Sequence, residues 1–496
     1  MLAGTTADTD AGFTARLEQL RSAQATVPTL PSGLQAQLRP YQEDGYAWAM
    51  RLAQAGFGAC LADDMGLGKT VQTLGVLLAR AAGGPALVIA PTSVCGNWLA
   101  ETRRFAPALN VTIYGEGDRA ALVDSAGPGD VVIVSYALVQ LARDAFAART
   151  WHTLVADEAQ AIKNAAAKRS LAVFDLSADF RMALSGTPIE NRLAELWSIM
   201  HFCNPGLLGP LARFNERFAG PIERDRDRDA QRILRRLIAP FMMRRTKSEV
   251  LQDLPPRTEL VLTIEPDAAE AAHYEALRRA AVASAEGAAA SEPGGQAQIH
   301  ILAQLTRLRR AACDPRLVSP ELGIPGSKVR AFAELATELV ANGHKALVFS
   351  QFVDFLGLLR APLDDAGIRY QYLDGATPAA ERTRRVAAFQ AGEGALFLIS
   401  LKAGGFGLNL TAADYVVITD PWWNPAAEDQ ALGRAHRIGQ ARPVTVYRLV
   451  RQGTLEESIV RLHHDKRALA EGMLGDQGAG APLPSATELI ALMRGD

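Results

Sequence analysis

The sequence has few of the features that mark a secreted, membrane-spanning or metal-rich protein. Its 496 residues include only four cysteines, which lie far apart with no C-x-x-C pair, and this spacing disfavours a zinc site or a disulfide framework. No apolar run reaches the ~18 residues that a membrane span needs. The N-terminus has no basic start followed by an apolar core, so we expect no secretory signal. These absences favour a cytoplasmic protein in a reducing compartment, with no membrane partner.

The chain also lacks an excess of charge of either sign. Lys and Arg number 52 against 54 Asp and Glu, a net charge of −2, so any indication of a nucleic-acid partner must be local. Hydrophobic residues make up 48% and charged residues 21% of the chain, and these proportions exclude a disordered or fibrous protein. At roughly 150 residues per domain, the length predicts about three structural units.

Short apolar runs, separated by segments rich in Ala and Leu, occur in two groups. The runs are ALVIA (86–90), VVIVS (131–135), TLVAD (153–157) and RMALS (181–185), then ALVFS (346–350), LFLIS (396–400), YVVITD (415–420) and VTVYRL (444–449). Because strands covered by helices on both faces are continuously apolar, the sequence predicts an α/β fold with two parallel-sheet lobes. Residues 195–325 between them show helical spacing instead, and SAEGAAASEPGGQ (284–296) is typical of a flexible loop.

A glycine-containing segment, DDMGLGKT, precedes a helical run in the first group. Its glycines would let main-chain N–H groups approach phosphate oxygens, and the start of a helix behind them favours an anion. The residues expected around the phosphates are Asp64, Met65, Gly66, Leu67, Gly68, Lys69 and Thr70. Lys69 would reach the β- and γ-phosphates, and the Thr70 hydroxyl would bind Mg²⁺. The standard pattern has Gly where this chain has Asp63, and a glycine turn that caps a core helix is the alternative.

An acidic pair, Asp157 and Glu158, follows directly after the apolar run TLVA. Such a pair at a strand end suits a metal-bound nucleotide, with Asp157 on Mg²⁺ and Glu158 orienting and deprotonating the attacking water. An isolated acidic pair is usually only solvated. About 90 residues after a phosphate-binding loop, it instead predicts an ATPase with ATP and Mg²⁺ as its cofactors.

Ten motifs follow one another along the chain in a fixed order. They are LRPYQEDGYAW (38–48), DDMGLGKT (63–70), VIAPTSVCGNW (88–98), DEAQ (157–160), ALSGTPIEN (183–191), ALVFSQF (346–352), LDGAT (373–377), ISLKAGGFGLNL (399–410), DPWWNP (420–425) and QALGRAHRIGQ (430–440). In this order the chain resembles superfamily 2 helicases, and specifically the Swi/Snf-like ATPases that translocate on double-stranded DNA. The resemblance covers roughly residues 33–460. PFMMRRTKSEVLQDLPPRTE (240–259), DPWWNP and the full GRAHRIGQ point to that family in particular.

The resemblance implies two RecA-like parallel-sheet lobes with a helical insertion between them. The expected divisions are a lead-in (1–32), a first ATP-binding lobe (33–194), a helical insertion and inter-lobe brace (195–327), a second, helicase C-terminal lobe (328–470), and a linker with a C-terminal helix (471–496).

The resemblance also implies roles for individual residues. Gln42 would read the adenine edge, because an amide both donates and accepts. Arg434 and Arg437 would be arginine fingers supplied by the second lobe, with both on one face if that segment is helical. Ser185, in the segment Ser-Gly-Thr, would couple hydrolysis to motion. The family commonly has His where this chain has Gln160; we expect hydrolysis to survive this change, and coupling between the lobes is what it puts in question.

Two local features would contact DNA. Residues 231–247 hold six basic residues and no acidic one, which suits either phosphate contact or bracing between lobes. Small or polar residues at strand ends would let main-chain groups touch phosphates without reading sequence. The residues expected there are Thr92, Ser135, Tyr136, Gln351, Lys402, Gly404 and Gly405. For Trp422 and Trp423 in the DPWWNP turn, packing is favoured over base stacking.

The sequence therefore predicts an ATP-dependent double-stranded-DNA translocase that displaces or remodels an unidentified DNA-bound protein. We expect a monomer that is associated with the nucleoid if the source is bacterial. Two alternatives stay open: a helicase that unwinds DNA or RNA, and a catalytically weak DNA-binding scaffold that ATP switches between shapes.

Overall fold

The computed structural model describes two compact units, divided between Gln252 and Asp253. The described residues are 28–115, 119–186, 192–251, 255, 257–291, 294–401, 410–422, 425–437, 439–462 and 486–494. Each unit is built on one parallel sheet, which confirms the predicted α/β fold with two parallel-sheet lobes. No helix among the described residues is long and apolar enough to span a membrane.

The first unit contains a seven-stranded sheet. Its strands are β1 (Ala59–Leu61), β2 (Ala86–Ala90), β3 (Asn110–Ile113), β4 (Asp130–Ser135), β5 (Thr150–Ala156), β6 (Ser177–Leu184) and β7 (Met242–Met243). They lie in the order β3-β4-β2-β5-β6-β1-β7, and neighbouring strands are parallel. β2 is buried along its whole length, as expected for a strand with helices on both faces.

Twelve helices accompany this sheet among the described residues of the first unit. They are α1 (Pro40–Gln54), α2 (Lys69–Arg80), α3 (Thr92–Phe105), α4 (Arg119–Ser125), α5 (Tyr136–Leu141), α6 (Arg143–Ala147), α7 (Lys168–Phe174), α8 (Leu193–Cys203), α9 (Leu211–Phe214), α10 (Gly220–Asp225), α11 (Arg228–Ile238) and α12 (Lys247–Val250). The adjacent strands β5, β6 and β1 are parallel, so their carboxyl ends lie at one edge of the sheet. These ends lead into the acidic motif, the Ser-Gly-Thr motif and the phosphate-binding loop.

The second unit contains a six-stranded parallel sheet. Its strands are β8 (Arg257–Ile264), β9 (Ala346–Ser350), β10 (Tyr370–Leu373), β11 (Leu396–Ser400), β12 (Tyr415–Ile418) and β13 (Val444–Arg451), in the order β10-β11-β9-β12-β13-β8. Its helices include α13 (Ala268–Ser291), α14 (Gly294–Cys313), α15 (Ser327–Ala341), α16 (Val353–Asp365), α17 (Ala379–Ala391), α18 (Pro425–Leu432) and α19 (Ala486–Arg494). Apolar side chains from β9, β11 and β12 form the centre of this unit's core.

The region between the two groups of apolar runs differs from its sequence pattern in two respects. It contains two strands that the pattern did not predict, β7 beside β1 and β8 along the whole of β13. The loop expected over 284–296 is wrong for its described residues, because α13 continues to Ser291 and α14 begins at Gly294. The Ala-rich run favours a helix, since Ala has the highest helix propensity. The domain limits at 194/195 and 327/328 stay predictions.

Candidate nucleotide site

The phosphate-binding loop lies between β1 and α2. Gly66 and Gly68 have φ angles of 87° and 77°, a left-handed conformation that glycine adopts without a steric penalty. Gly68 is the residue that caps the start of α2, a helix of 12 residues. The loop therefore delivers main-chain N–H groups and the positive end of a helix dipole to one place, which is the arrangement that binds phosphate.

Lys69 lies in the first turn of α2, next to Thr70. Its ammonium donates to the main-chain oxygens of Asp63 at 2.6 Å and Asp64 at 3.3 Å. Burial lowers the pKa of Lys69, and the carboxylates of Glu158, Asp63 and Asp157 act in the opposite direction. The loop's own carbonyl oxygens thus determine where the Lys69 charge lies.

Asp157 follows β5 and is held from two sides. One of its carboxylate oxygens accepts from the indole Nε1 of Trp98 at 2.8 Å, and the other accepts from the main-chain N–H of Glu158 at 2.9 Å. The hydroxyl of Tyr136 donates to the Asp157 carbonyl oxygen at 2.7 Å. Burial, reinforced by the neighbouring Glu158 charge, raises the pKa of Asp157 to about 7. The sequence offered no separate signal for the role of Trp98 beyond its place in a motif.

Glu158 takes up an unusual main-chain conformation for a residue with a side chain. Its φ angle is 49°, in the left-handed region that costs non-glycine residues of the order of 1 kcal/mol. Its carboxylate accepts from Nε2 of Gln160 at 2.7 Å, and the Gln160 Oε1 accepts from the Ser185 hydroxyl at 3.0 Å. Gln160 therefore links the acidic motif after β5 to the Ser-Gly-Thr motif after β6. Thr187 lies outside the described residues.

Gln42, on α1, contacts the phosphate-binding loop directly. Its Nε2 donates to the Leu67 carbonyl oxygen at 3.0 Å, and its Oε1 accepts from the Arg39 N–H at 2.9 Å. The hydroxyl of Tyr41 donates to the same Leu67 oxygen, also at 3.0 Å. The motif expected to recognise adenine is thus attached to the loop expected to bind phosphates, and recognition of adenine by Gln42 stays a prediction.

Asp63 and Arg245 form a pair that sequence reasoning missed. The Arg245 guanidinium donates to both Asp63 carboxylate oxygens, at 2.9 and 2.5 Å, and the Asp63 side chain is fully buried. Arg245 belongs to the basic segment 231–247, but its side chain lies inside the first unit. The only signal in the sequence was the Asp that replaces the first glycine of the standard loop.

Comparison with known families gives a clear result. Residues 41–317 match the SNF2-related domain, and residues 327–439 match the helicase conserved C-terminal domain. The chain belongs to the SNF2-related family. Relatives of the chain are named as ATP-dependent helicases, in agreement with the predicted ATP hydrolase.

Individual relatives agree with the family match. The Bacillus subtilis protein YwqA, whose name assigns it to ATP-dependent helicases or translocases, is 42% identical over 455 residues, which are 88% of this chain and 49% of the relative. The ISWI chromatin-remodeling complex ATPase CHR11 of Arabidopsis thaliana is 33% identical over 476 residues, 90% of this chain and 44% of the relative. A solved structure, the Sulfolobus solfataricus SWI2/SNF2 ATPase core in complex with dsDNA, has 36% identity and a TM-score of 0.46, with 90% of this chain and 95% of that chain covered. The chain thus spans about half the length, or less, of these two curated relatives.

The two arginines expected to act as fingers in this SNF2-related chain lie beyond the end of α18. Arg434 lies in a turn and Arg437 in a bend after Leu432. The segment that carries them is therefore not helical, and they do not share a helix face. Arg434 is 6% exposed. The amide Nε2 of Gln440 lies within hydrogen-bond distance of the main-chain oxygen of Ala435 in these turns, at 3.1 Å, and of those of Thr411 and Ala413 before β12, at 3.2 and 2.8 Å. Gln440 therefore connects the segment that carries the two arginines to the segment before β12.

The residues expected to touch DNA fall into three groups. Thr92 is exposed at the start of α3, and Gln351, just after β9, is partly buried. Ser135 and Tyr136 are buried and make hydrogen bonds within the first unit. The Ser135 hydroxyl accepts from the Leu138 N–H, and the Tyr136 hydroxyl donates to the Asp157 carbonyl oxygen. The residues outside the described part of the chain are Lys402, Gly404 and Gly405. All seven stay predictions as DNA contacts.

Trp422, in contrast, has a contact that the structure describes. It packs against the core cluster of the second unit that contains Leu410 and Ile418. The predicted preference for packing is therefore observed at Trp422. Trp423 lies outside the described residues.

Proposed function

We propose that this chain hydrolyses ATP and uses the energy to move along double-stranded DNA and to displace or remodel protein bound there. The observation that carries the proposal is the partly buried Asp157 beside Glu158, on the same sheet edge as the phosphate-binding loop of an SNF2-related chain. Two neighbouring carboxylates with different surroundings beside a phosphate-binding helix suit ATP hydrolysis. The names of the relatives, which refer to translocation and chromatin remodelling, favour movement on DNA.

The residues present fit ATP with a bound Mg²⁺. Mg²⁺ is usually held by one or two carboxylates together with substrate phosphates and water, and Asp157 and the Thr70 hydroxyl supply protein oxygens of this kind. When bound, the ion would neutralise phosphate charge. Burial raises the pKa of Asp157, so at acid pH a proton competes with the cation for this carboxylate.

The chain's own residues supply the remaining parts of the reaction. Lys69 would place a positive charge on the β- and γ-phosphates, and Glu158 would orient the attacking water and accept its proton. Gln160 holds the Glu158 carboxylate through its 2.7 Å hydrogen bond. Arg434 and Arg437 would stabilise the negative charge that develops on the transferred phosphoryl group.

Movement on DNA requires contacts that do not depend on base sequence. The exposed Thr92 follows β2 and Gln351 follows β9, and these positions support both as DNA contacts, because segments at strand ends can present main-chain N–H groups to phosphates. We also propose that the chain acts as a monomer, in the cytoplasm, and on the nucleoid if its source is a bacterium.

The test is steady-state ATP hydrolysis with no nucleic acid, with duplex DNA, with single-stranded DNA and with structured RNA. We expect duplex DNA to stimulate hydrolysis most strongly. Stimulation mainly by RNA or single strands would replace the proposal with an unwinding helicase. ATP binding without hydrolysis under every condition would instead indicate an ATP-switched scaffold.

A second assay separates translocation from strand separation. A third DNA strand paired to a duplex is removed by a protein that moves along the intact duplex, whereas release of one duplex strand reports unwinding. We expect release of the third strand alone, and no release with Glu158→Gln. Displacement of a protein bound tightly to the end of a duplex then tests the remodelling part of the proposal.

A further inference from the structure

The segment that ends the first unit runs along the phosphate-binding loop. The Ala62 N–H donates to the Met243 carbonyl oxygen at 2.7 Å, and the Asp64 N–H donates to the Arg245 carbonyl oxygen at 3.0 Å. In the other direction, the Lys247 N–H donates to an Asp64 carboxylate oxygen at 3.0 Å. Residues more than 180 apart in sequence are therefore aligned at the entrance to the loop.

Within this segment, the side chain of Arg245 reaches three different elements. It binds the buried Asp63 carboxylate with two nitrogen atoms. Its Nη2 also donates to Oε1 of Gln72 on α2 at 3.0 Å, and the Gln72 Nε2 donates in turn to the Gly68 carbonyl oxygen at 3.2 Å. The guanidinium also donates to the main-chain oxygen of Tyr41 and lies 5.2 Å from the centre of that residue's ring.

A glycine on α1 leaves the space that the Arg245 and Gln72 side chains occupy. Gly45 lies one helical turn after Tyr41 on α1, and a Cβ atom there would lie 2.1 Å from the Gln72 Oε1 and 2.8 Å from the Arg245 Nη2. Any larger residue would displace both side chains. The motif expected to bind adenine thus contains a glycine that makes room for Arg245 and Gln72.

The charge of Asp63 explains why this contact is strong enough to position the loop. A fully buried carboxylate is very unfavourable without a partner, and removing one member of a buried ion pair leaves an uncompensated charge. A planar guanidinium that binds a carboxylate with two nitrogens fixes orientation as well as distance. The Asp63 carbonyl oxygen in turn accepts from the Lys69 ammonium at 2.6 Å. The position of Asp63 is therefore transmitted to the cation expected on the phosphates.

We propose that Arg245 is a positioning residue for the nucleotide: through Asp63, Gln72 and Tyr41 it fixes the phosphate-binding loop relative to the adenine motif. This inference rests on the proposed ATP binding and deepens it. It also assigns to Asp63, in place of the usual glycine, the role of anchoring the loop to Arg245. Because the pair acts before chemistry, by holding the binding site together, its loss should weaken ATP binding more than it slows the chemical step.

The experiment compares the unaltered chain with Arg245→Met, Arg245→Lys and Asp63→Asn. The matched control is Arg80→Met, because Arg80 is also a partly buried arginine of the first unit, at the opposite end of α2, where it donates to Thr153 and to the His152 carbonyl oxygen. Affinity is measured with the fluorescent nucleotide mant-ADP and Mg²⁺, KM and kcat for ATP by steady-state hydrolysis, and folding by thermal melting.

We expect Arg245→Met to weaken mant-ADP binding and raise the KM for ATP about tenfold or more, with a kcat change of no more than about threefold. Arg245→Lys should recover part of the affinity, because lysine keeps the charge but cannot reach Asp63, Gln72 and Tyr41 together. The double variant Asp63→Asn, Arg245→Met should bind about as weakly as the weaker single variant, since the two residues act as a unit.

Three results would contradict the inference. One is a KM for ATP of Arg245→Met that is no higher than that of Arg80→Met, measured at a temperature where thermal melting shows both variants to be folded. Another is a double variant whose loss of affinity is the product of the two single losses. If Arg245→Met does not fold, Arg245→Lys and Asp63→Asn decide, and unchanged affinity in both would overturn the role. Failure of the unaltered chain to bind mant-ADP would overturn the proposed function itself, and with it this inference.

Discussion

Asp157 and Glu158 are adjacent in sequence, yet their surroundings differ. Asp157 is partly buried and accepts hydrogen bonds from the Trp98 indole and the Glu158 N–H, and its pKa is raised to about 7. Glu158 has a left-handed main-chain conformation, and Gln160 donates to its carboxylate. Different surroundings can give two carboxylates different roles, and the roles expected here are Mg²⁺ ligand for Asp157 and base for Glu158.

Removal of the groups that are expected to act on ATP gives the first prediction. Lys69→Ala and Glu158→Gln should each abolish turnover, because one removes the charge on the phosphates and the other removes the base. Glu158→Gln should still bind mant-ADP, since the carboxylate is not needed to hold the nucleotide. Steady-state hydrolysis and mant-ADP titration measure the two properties. Normal turnover in either variant would mean that the catalytic site lies elsewhere.

Gln160 gives a second prediction, because its amide joins Glu158 to Ser185. Gln160→Ala removes both hydrogen bonds, so we expect kcat to fall about tenfold with little change in KM; each lost bond to a charged group is worth roughly 1.5–3 kcal/mol. Ser185→Ala removes only the neutral bond and should reduce kcat less. Equal losses in the two variants would show that the contact with Glu158 does not support catalysis.

At the scale of elements, the ends of β9 and β12 are joined by one buried carboxylate. Asp420 accepts from the Ser350 hydroxyl at 2.5 Å, from the Gln351 N–H at 3.2 Å and from the Thr419 hydroxyl at 3.0 Å. Burial raises the pKa of Asp420 to about 6, although the charges of Arg309 and Lys328 act in the opposite direction. The carboxylate therefore holds the start of the loop in which Gln351 is expected to meet DNA.

This raised pKa predicts how stability depends on pH. Between pH ~4, near the unfolded-state pKa of an aspartate, and about 6, where folded Asp420 titrates, the folded chain binds the extra proton, so stability decreases as the pH rises through this range. Asp420→Asn lacks this titration. From pH 5 to pH 7.5, the Tm of the unaltered chain should therefore fall by a few degrees relative to that of Asp420→Asn, at roughly 2–4 °C per kcal/mol. A constant difference between the two melting curves would show that Asp420 does not titrate there.

At the scale of the whole molecule, the groups expected to act on ATP are divided between the two units. The first unit carries the loop, the acidic motif and Arg245, and the second carries Arg434 and Arg437. With these expected roles, nucleotide binding depends on the first unit, whereas hydrolysis depends on groups of both units. A variant of the second unit should therefore change kcat without changing nucleotide affinity.

Arg434→Ala should accordingly lower kcat by about 10³-fold, because an arginine on the developing phosphoryl charge acts in the transition state. Its affinity for mant-ADP should not change, since ADP lacks the γ-phosphate. The control is Arg442→Ala, an exposed arginine of the same unit that pairs with Asp414. Equal kcat values for the two variants would remove Arg434 from the catalytic site.

Some strands of the fold could not be predicted from local pattern. β7 has only two residues, Met242–Met243, too few for any periodicity to show. β8 begins with three polar residues and leaves Leu260 and Val261 exposed, so it lacks the long, buried apolar run that marks the central strands. In the opposite direction, the glycines near position 294 suggested a loop where α14 begins.

The amino-acid sequence by itself determined the two-lobed α/β fold, the phosphate-binding loop, the acidic pair and the family, because each of these depends on residues that are close together along the chain. The tertiary structure alone decided which distant side chains support them. Trp98 and Arg245 contact the site, and Gln160 reaches Ser185, because parallel strands bring their carboxyl ends to one edge of a sheet, and a partner 182 residues away leaves no periodic trace in the sequence.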